Sequence, residues 1–98
     1  MSLPVVLHPE ASRDAEEARD YFEHLKVGLG QNFIYRLNES LSQIGAMPGL
    51  YGIVWRNVRA ARLKRYSHVV YYRVFSDRVD VLAVVHSSRD SSAWQSRS

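Results

Sequence analysis

The sequence predicts an α+β domain in the order β-αα-βββ, a small antiparallel sheet with a two-helix hairpin packed on one face. Three observations carry this reading. Two β-branched and aromatic runs, His68–Phe75 and Val79–His86, flank a Ser-Asp-Arg turn, which is a hairpin signal. Upstream, two segments with helical apolar spacing are joined by a glycine-bearing connection, which makes an αα-hairpin. Ninety-eight residues form one domain, and a sheet with one apolar face needs these helices as its cover.

In chain order, Leu3–Leu7 is a short apolar run that reads as a first strand. Pro9 suits the first helical position, and Glu10 favours the positive end of the helix dipole. Ala11, Ala15, Ala18, Phe22 and Leu25 then mark one helical face, with alanines that permit close approach to a neighbour. Gly28 and Gly30 end this helix. A second helix is expected from Leu29 to Ala46, with Phe33, Leu37, Leu41 and Ile44 on its apolar face, and Pro48-Gly49 stopping it. Ile53-Val54-Trp55 reads either as a short strand or as a packed turn. Val58–Tyr66 reads as a strand with charges on much of its length, at an edge or with a wet face. In the last strand Val79, Val81, Ala83 and Val85 alternate with Asp80, Leu82, Val84 and His86, so apolar cover is expected on at least one side. Residues 91–98 form a Ser-rich segment expected to be a flexible tail, with Trp94 either docking on the domain or serving a partner.

Composition is that of an ordinary globular protein, 46% hydrophobic and 23% charged. No apolar run reaches the ~20 residues of a membrane span, and no leader pattern is present, so a cytoplasmic protein without membrane contact is the expectation. The lack of cysteine excludes disulfides and thiol chemistry. The histidines His8, His24 and His68 lack metal-ligand spacing, and no phosphate-cradling glycine loop occurs; neither cofactor nor metal is expected.

The net charge of +3 is unevenly placed. Six of the ten acids lie between Glu10 and Glu23, whereas Ser40–Ser76 contains no acid but five arginines and Lys64. That asymmetry favours a polyanionic or acidic partner. The candidate contact residues are Arg59, Arg62, Lys64, Arg65 and Arg73, with Tyr66, Tyr71 and Tyr72 able to stack on bases. A plainer alternative is a solvated strand edge protected by charge, with tyrosines in the core. The second candidate set is His86 and Arg89, where an imidazole can move a proton and a guanidinium can stabilise a phosphorane. Its alternative is a capping histidine and an arginine paired with Asp90 or another acid.

The chain resembles the RelE/ParE superfamily, the toxins of bacterial type II toxin–antitoxin (plasmid stabilisation) modules, over nearly its whole length. The resemblance rests on the Pro9–Leu25 helix pattern and on Met47-Pro48-Gly49 before Gly52. It continues with Val58-Arg59 leading to Leu63 and Tyr66, the run His68-Val-Val-Tyr-Tyr-Arg-Val, and the ending Val84-Val-His86-Ser-Ser-Arg89-Asp90. It implies a growth-inhibiting toxin neutralised by a cognate antitoxin. In the RelE-like branch, His86 and Arg89 would be catalytic in ribosome-dependent cleavage of mRNA, with Arg62 and Lys64 in the basic strand. In the ParE-like branch, the toxin is not an enzyme and poisons DNA gyrase. Ser87 and Ser88 stand where the nuclease branch favours an aromatic, and the long helical hairpin and His-x-x-Arg-Asp ending look more like ParE. The resemblance therefore favours gyrase as the target, with ribosome and mRNA as the alternative and an attenuated, antitoxin-binding relative as a third.

Overall fold

A computed structural model of the protein describes residues 2–98. Its elements are β1 (Val5–Leu7), α1 (Pro9–Leu25), α2 (Leu29–Ala46), β2 (Ile53–Trp55), β3 (Val58–Arg62), β4 (His68–Val74), β5 (Val79–His86) and a one-turn helix α3 (Ser92–Gln95). The five strands form one sheet in the order β1-β5-β4-β3-β2. Strands β2 to β5 are antiparallel, with β4 and β5 forming the hairpin that the Ser76–Arg78 turn predicts. β1 joins the far edge and runs parallel to β5, with Val5 opposite Val79 and Leu7 opposite Val81. The α1–α2 hairpin between β1 and the remaining strands makes that parallel placement possible.

The helical hairpin lies on one face. Ala11, Ala15 and Ala18 bring α1 close to the sheet, and Phe33, Leu37 and Ile44 of α2 fill the space beside Val70, Tyr72, Val79, Val81 and Val84. Two glycines fix the geometry. A Cβ on Gly30 would stand 2.4 Å from the Arg19 carbonyl oxygen, so the two helices touch through backbone there. Gly28 holds φ at +89°, which reverses the chain between them. Glu23 of α1 completes the corner by accepting hydrogen bonds from the Gly28 and Gly30 amides at 2.9 and 3.0 Å, placing an anion at the start of α2.

Two expectations change. Residues 91–98, expected as a flexible tail, fold back over the opposite face of the sheet. Trp94 is 5% exposed, stacks on Tyr71 at 4.2 Å and meets Trp55 edge-on, closing a second apolar cluster with Val58, Leu82, Ala83 and Val85. Three residues later, Arg97 reaches α1. Its guanidinium bonds both oxygens of Asp14, the Leu82 carbonyl and Glu10. The strand predicted over Val58–Tyr66 also stops at Arg62, because the chain turns at Lys64-Arg65, with Arg65 in the left-handed region at φ +70°.

β5 departs from simple alternation. Tyr72 pairs with Val81 and Tyr71 with Ala83, so Leu82 is an extra residue in the ladder. Leu82 and Ala83 both serve the Trp94 side, and Val84 returns to the helix side with Val79 and Val81. The bulge therefore reverses the phase of everything after it, His86 included.

Candidate functional site

Phase reversal in β5 assembles the site. His86 pairs across the ladder with His68, and the two rings meet edge-to-face at 5.6 Å on the side of the sheet that carries the helices. His68 in turn rests against Phe22 of α1 and Phe33 of α2. Its Nδ1 is enclosed and has no hydrogen-bond partner among the described residues. Burial, then the neighbouring His86, pushes the His68 imidazole below its ordinary pKa, with Asp14 opposing weakly. His68 is thus held towards its neutral form.

His86 is exposed, and its Nδ1 accepts the Ser88 amide at 3.0 Å with the Ser88 hydroxyl at 2.7 Å. That hydrogen bond assigns the neutral ring's proton to Nε2. His86 and Arg89 border one hollow of about 320 Å³, together with Asp14, Glu17, Tyr21 and His68. The structure therefore does bring the two sequence-predicted catalytic candidates together. The alternative pairing of Arg89 with Asp90 or another acid is absent among the described residues; the Asp90 carboxylate instead accepts the Ser92 amide, which holds its pKa low.

The five basic contact candidates do not converge. Arg59 donates Nη1 to the Tyr51 carbonyl at 2.6 Å and is committed to the fold. The Arg73 Nε is buried, and its guanidinium lies 5.7 Å from the Phe75 ring. Arg62 and Lys64 border a hollow of about 130 Å³ against Arg36, Glu39 and Gln43 of α2. Arg65 belongs to a separate, larger hollow at the end of the helical hairpin, beside His68 and His86. The tyrosines divide in the same way. Tyr72 is buried and donates to the Pro48 carbonyl at 2.9 Å, with burial raising its pKa, and Tyr71 lies under Trp94. Tyr66 donates to the Asn32 amide oxygen at 2.7 Å and forms part of the larger hollow.

Sequence reasoning missed His68, Tyr21, Asp14 and Arg97. His68 was within reach: it opens β4 as His86 closes β5, so any hairpin centred on the Ser76–Arg78 turn sets them at the same end. The side chain of Asp14 is 10% exposed and accepts the Val84 amide at 3.1 Å, capping the edge of β5 beyond the end of β1. Nothing in the spacing of α1 distinguishes it from the solvated acids around it. Among the described residues, no group of three or more His, Asp or Glu is placed to hold a metal ion, and no helix is long and apolar enough to cross a membrane.

Comparison with known proteins fits this architecture. Residues 5–91 match the family described as the ParE toxin of type II toxin–antitoxin system, parDE. Among solved structures, the chain is similar to one from a chromosomal ParDE toxin–antitoxin system of P. aeruginosa, at a TM-score of 0.65 and 13% identity, covering 87% of this chain and 96% of that one. It is also similar to a chain of the toxin–antitoxin complex RelBE2 from Mycobacterium tuberculosis, at a TM-score of 0.63 and 15% identity, covering 88% and 99%. No curated protein sequence matches it. At these identities the two structures speak for the fold, and the family match spans most of the sequence. The chain belongs to the ParE toxin family of type II toxin–antitoxin systems.

Proposed function

We propose that the protein arrests growth by binding DNA gyrase, as the non-enzymatic member of a toxin–antitoxin pair. The observation that carries this reading is the dispersal of Arg59, Arg62, Lys64 and Arg73, none of which borders the hollows of His68 and His86. Cleavage of RNA needs a base, an acid and positive charge around one phosphate. Here Arg59 and Arg73 are taken up by the fold, and Arg62 and Lys64 face α2. Arg62, Lys64 and Arg65 are the proposed contact surface for the target. The membership of the chain in the ParE family supports the same choice. A cognate antitoxin is the expected partner, since both similar structures come from toxin–antitoxin systems, and the basic middle of the chain suits an acidic segment that folds on binding. A cytoplasmic setting follows from such a target.

Two observations favour the nuclease reading: His86 and Arg89 share one hollow with His68, and Arg65 shares another with both histidines. The double variant His86→Gln/Arg89→Ala separates the two readings. Loss of general acid–base groups lowers a cleavage rate by about 10²–10⁴. Growth arrest retained at matched protein level supports binding; arrest abolished while the variant stays folded and antitoxin-bound supports cleavage. Wild-type protein that accumulates in soluble form without arresting growth leaves an antitoxin-binding relative without toxin activity.

A further inference from the structure

A hollow of about 610 Å³ lies where the open end of the α1–α2 hairpin meets the start of β4 and the end of β5. Its volume falls in the range of small-molecule sites. Tyr21, Phe22 and Tyr66 give it aromatic walls, while Arg65, His68 and His86 supply the ionisable groups. No Asp or Glu borders it, in contrast to the hollows bordered by Glu39, by Asp14 and Glu17, and by Asp20 and Glu23. Tyr21 is 61% exposed, so an aromatic face stands open to a ligand. Asn32 gives its amide oxygen to the Tyr66 hydroxyl, which leaves its NH2 to donate. The buried Nδ1 of His68 has no partner among the described residues. Arg65 is exposed, yet holds a left-handed backbone that a non-glycine residue adopts at a cost.

We infer that this hollow binds a nucleotide, with the base against Tyr21 and Tyr66 and the phosphate between Arg65 and the His68–His86 pair. The two halves of the site answer the two halves of such a ligand. Stacking on tyrosine is tolerant of base identity, and a guanidinium beside two imidazoles recognises phosphate through charge-assisted hydrogen bonds. An anion here stabilises the protonated imidazole, opposing the burial and the mutual repulsion that keep His68 neutral. The same chemistry is offered by a free nucleoside monophosphate and by the phosphorylated end of a DNA strand.

The test follows the histidine ring signals of the folded protein by NMR during titration with adenosine 5′-monophosphate, adenosine, inorganic phosphate and a short DNA strand carrying a 5′-phosphate. Saturating shifts of His68 and His86 are expected with the monophosphate, with adenosine and phosphate each at least about tenfold weaker. Tyr21→Ala and Arg65→Gly each weaken binding about tenfold; Tyr21 is mostly exposed, and glycine relieves the positive φ of Arg65, so both variants keep the fold. Tighter binding of the strand identifies a strand end as the ligand, and equal binding identifies the free nucleotide. The inference is overturned if no probe saturates at millimolar concentration, or if both variants bind as the wild type does.

Discussion

Replacing Arg97 by Met tests whether the last residues are part of the fold. The Arg97 and Asp14 side chains are only 12% and 10% exposed, and their shortest contact is 2.6 Å. Arg97 also bonds the Leu82 carbonyl and Glu10. Methionine keeps the apolar stem and removes every one of these bonds. Asp14 is then left with the Val84 amide as its remaining donor. Stranding one member of a buried pair costs about 3–5 kcal/mol; the retained amide and the rim position lower this to about 2–3 kcal/mol. For a domain of this length, that is a fall in Tm of about 8–20 °C. Urea and thermal unfolding of the isolated chain measure it, and a cycle with Asp14→Asn isolates the pair. A loss below about 0.5 kcal/mol, the level of an ordinary surface substitution, refutes the docked segment and restores a free tail.

Two further outcomes follow from the same packing. Gly30→Ala should destabilise by about 1–3 kcal/mol despite the better helix propensity of alanine, because its Cβ meets the Arg19 carbonyl at 2.4 Å, whereas Gly49→Ala, with nothing within 4 Å, should be near neutral; chemical denaturation compares them. The depressed pKa of His68 means that the unfolded chain binds its proton more readily than the folded one. Its contribution is therefore complete above the ordinary histidine value and is lost as pH falls from there to the folded pKa. His68→Phe should flatten that part of the stability–pH curve.

Local physics was legible in the sequence. Proline at the start of α1, the alanine stripe, the glycine connection and the Pro48-Gly49 stop set both long helices, and the β-branched density of Val79–His86 set the last strand. What stayed hidden was non-local. A three-residue strand carries no sign of its partner, so the parallel pairing of β1 with β5 was not readable. Arg97 and Asp14 lie 83 residues apart, and an acid on a helix full of acids reveals nothing of the strand edge it caps. The bulge at Leu82 matters most for the site. Strict alternation puts His86 on the same face as Asp80 and Leu82, and one extra residue moves it over to the helix side beside His68. Valine, leucine and alanine around the bulge give no turn signal, so the sequence named His86 but not its neighbour.

The most direct test of a binding toxin is pulse labelling after expression without antitoxin, following thymidine and methionine incorporation separately. Gyrase poisoning predicts that thymidine incorporation falls first and is accompanied by an SOS response, with His86→Gln/Arg89→Ala behaving as the wild type. A fall in methionine incorporation that comes first, and that the double variant abolishes, contradicts the account and makes His86 and Arg89 catalytic.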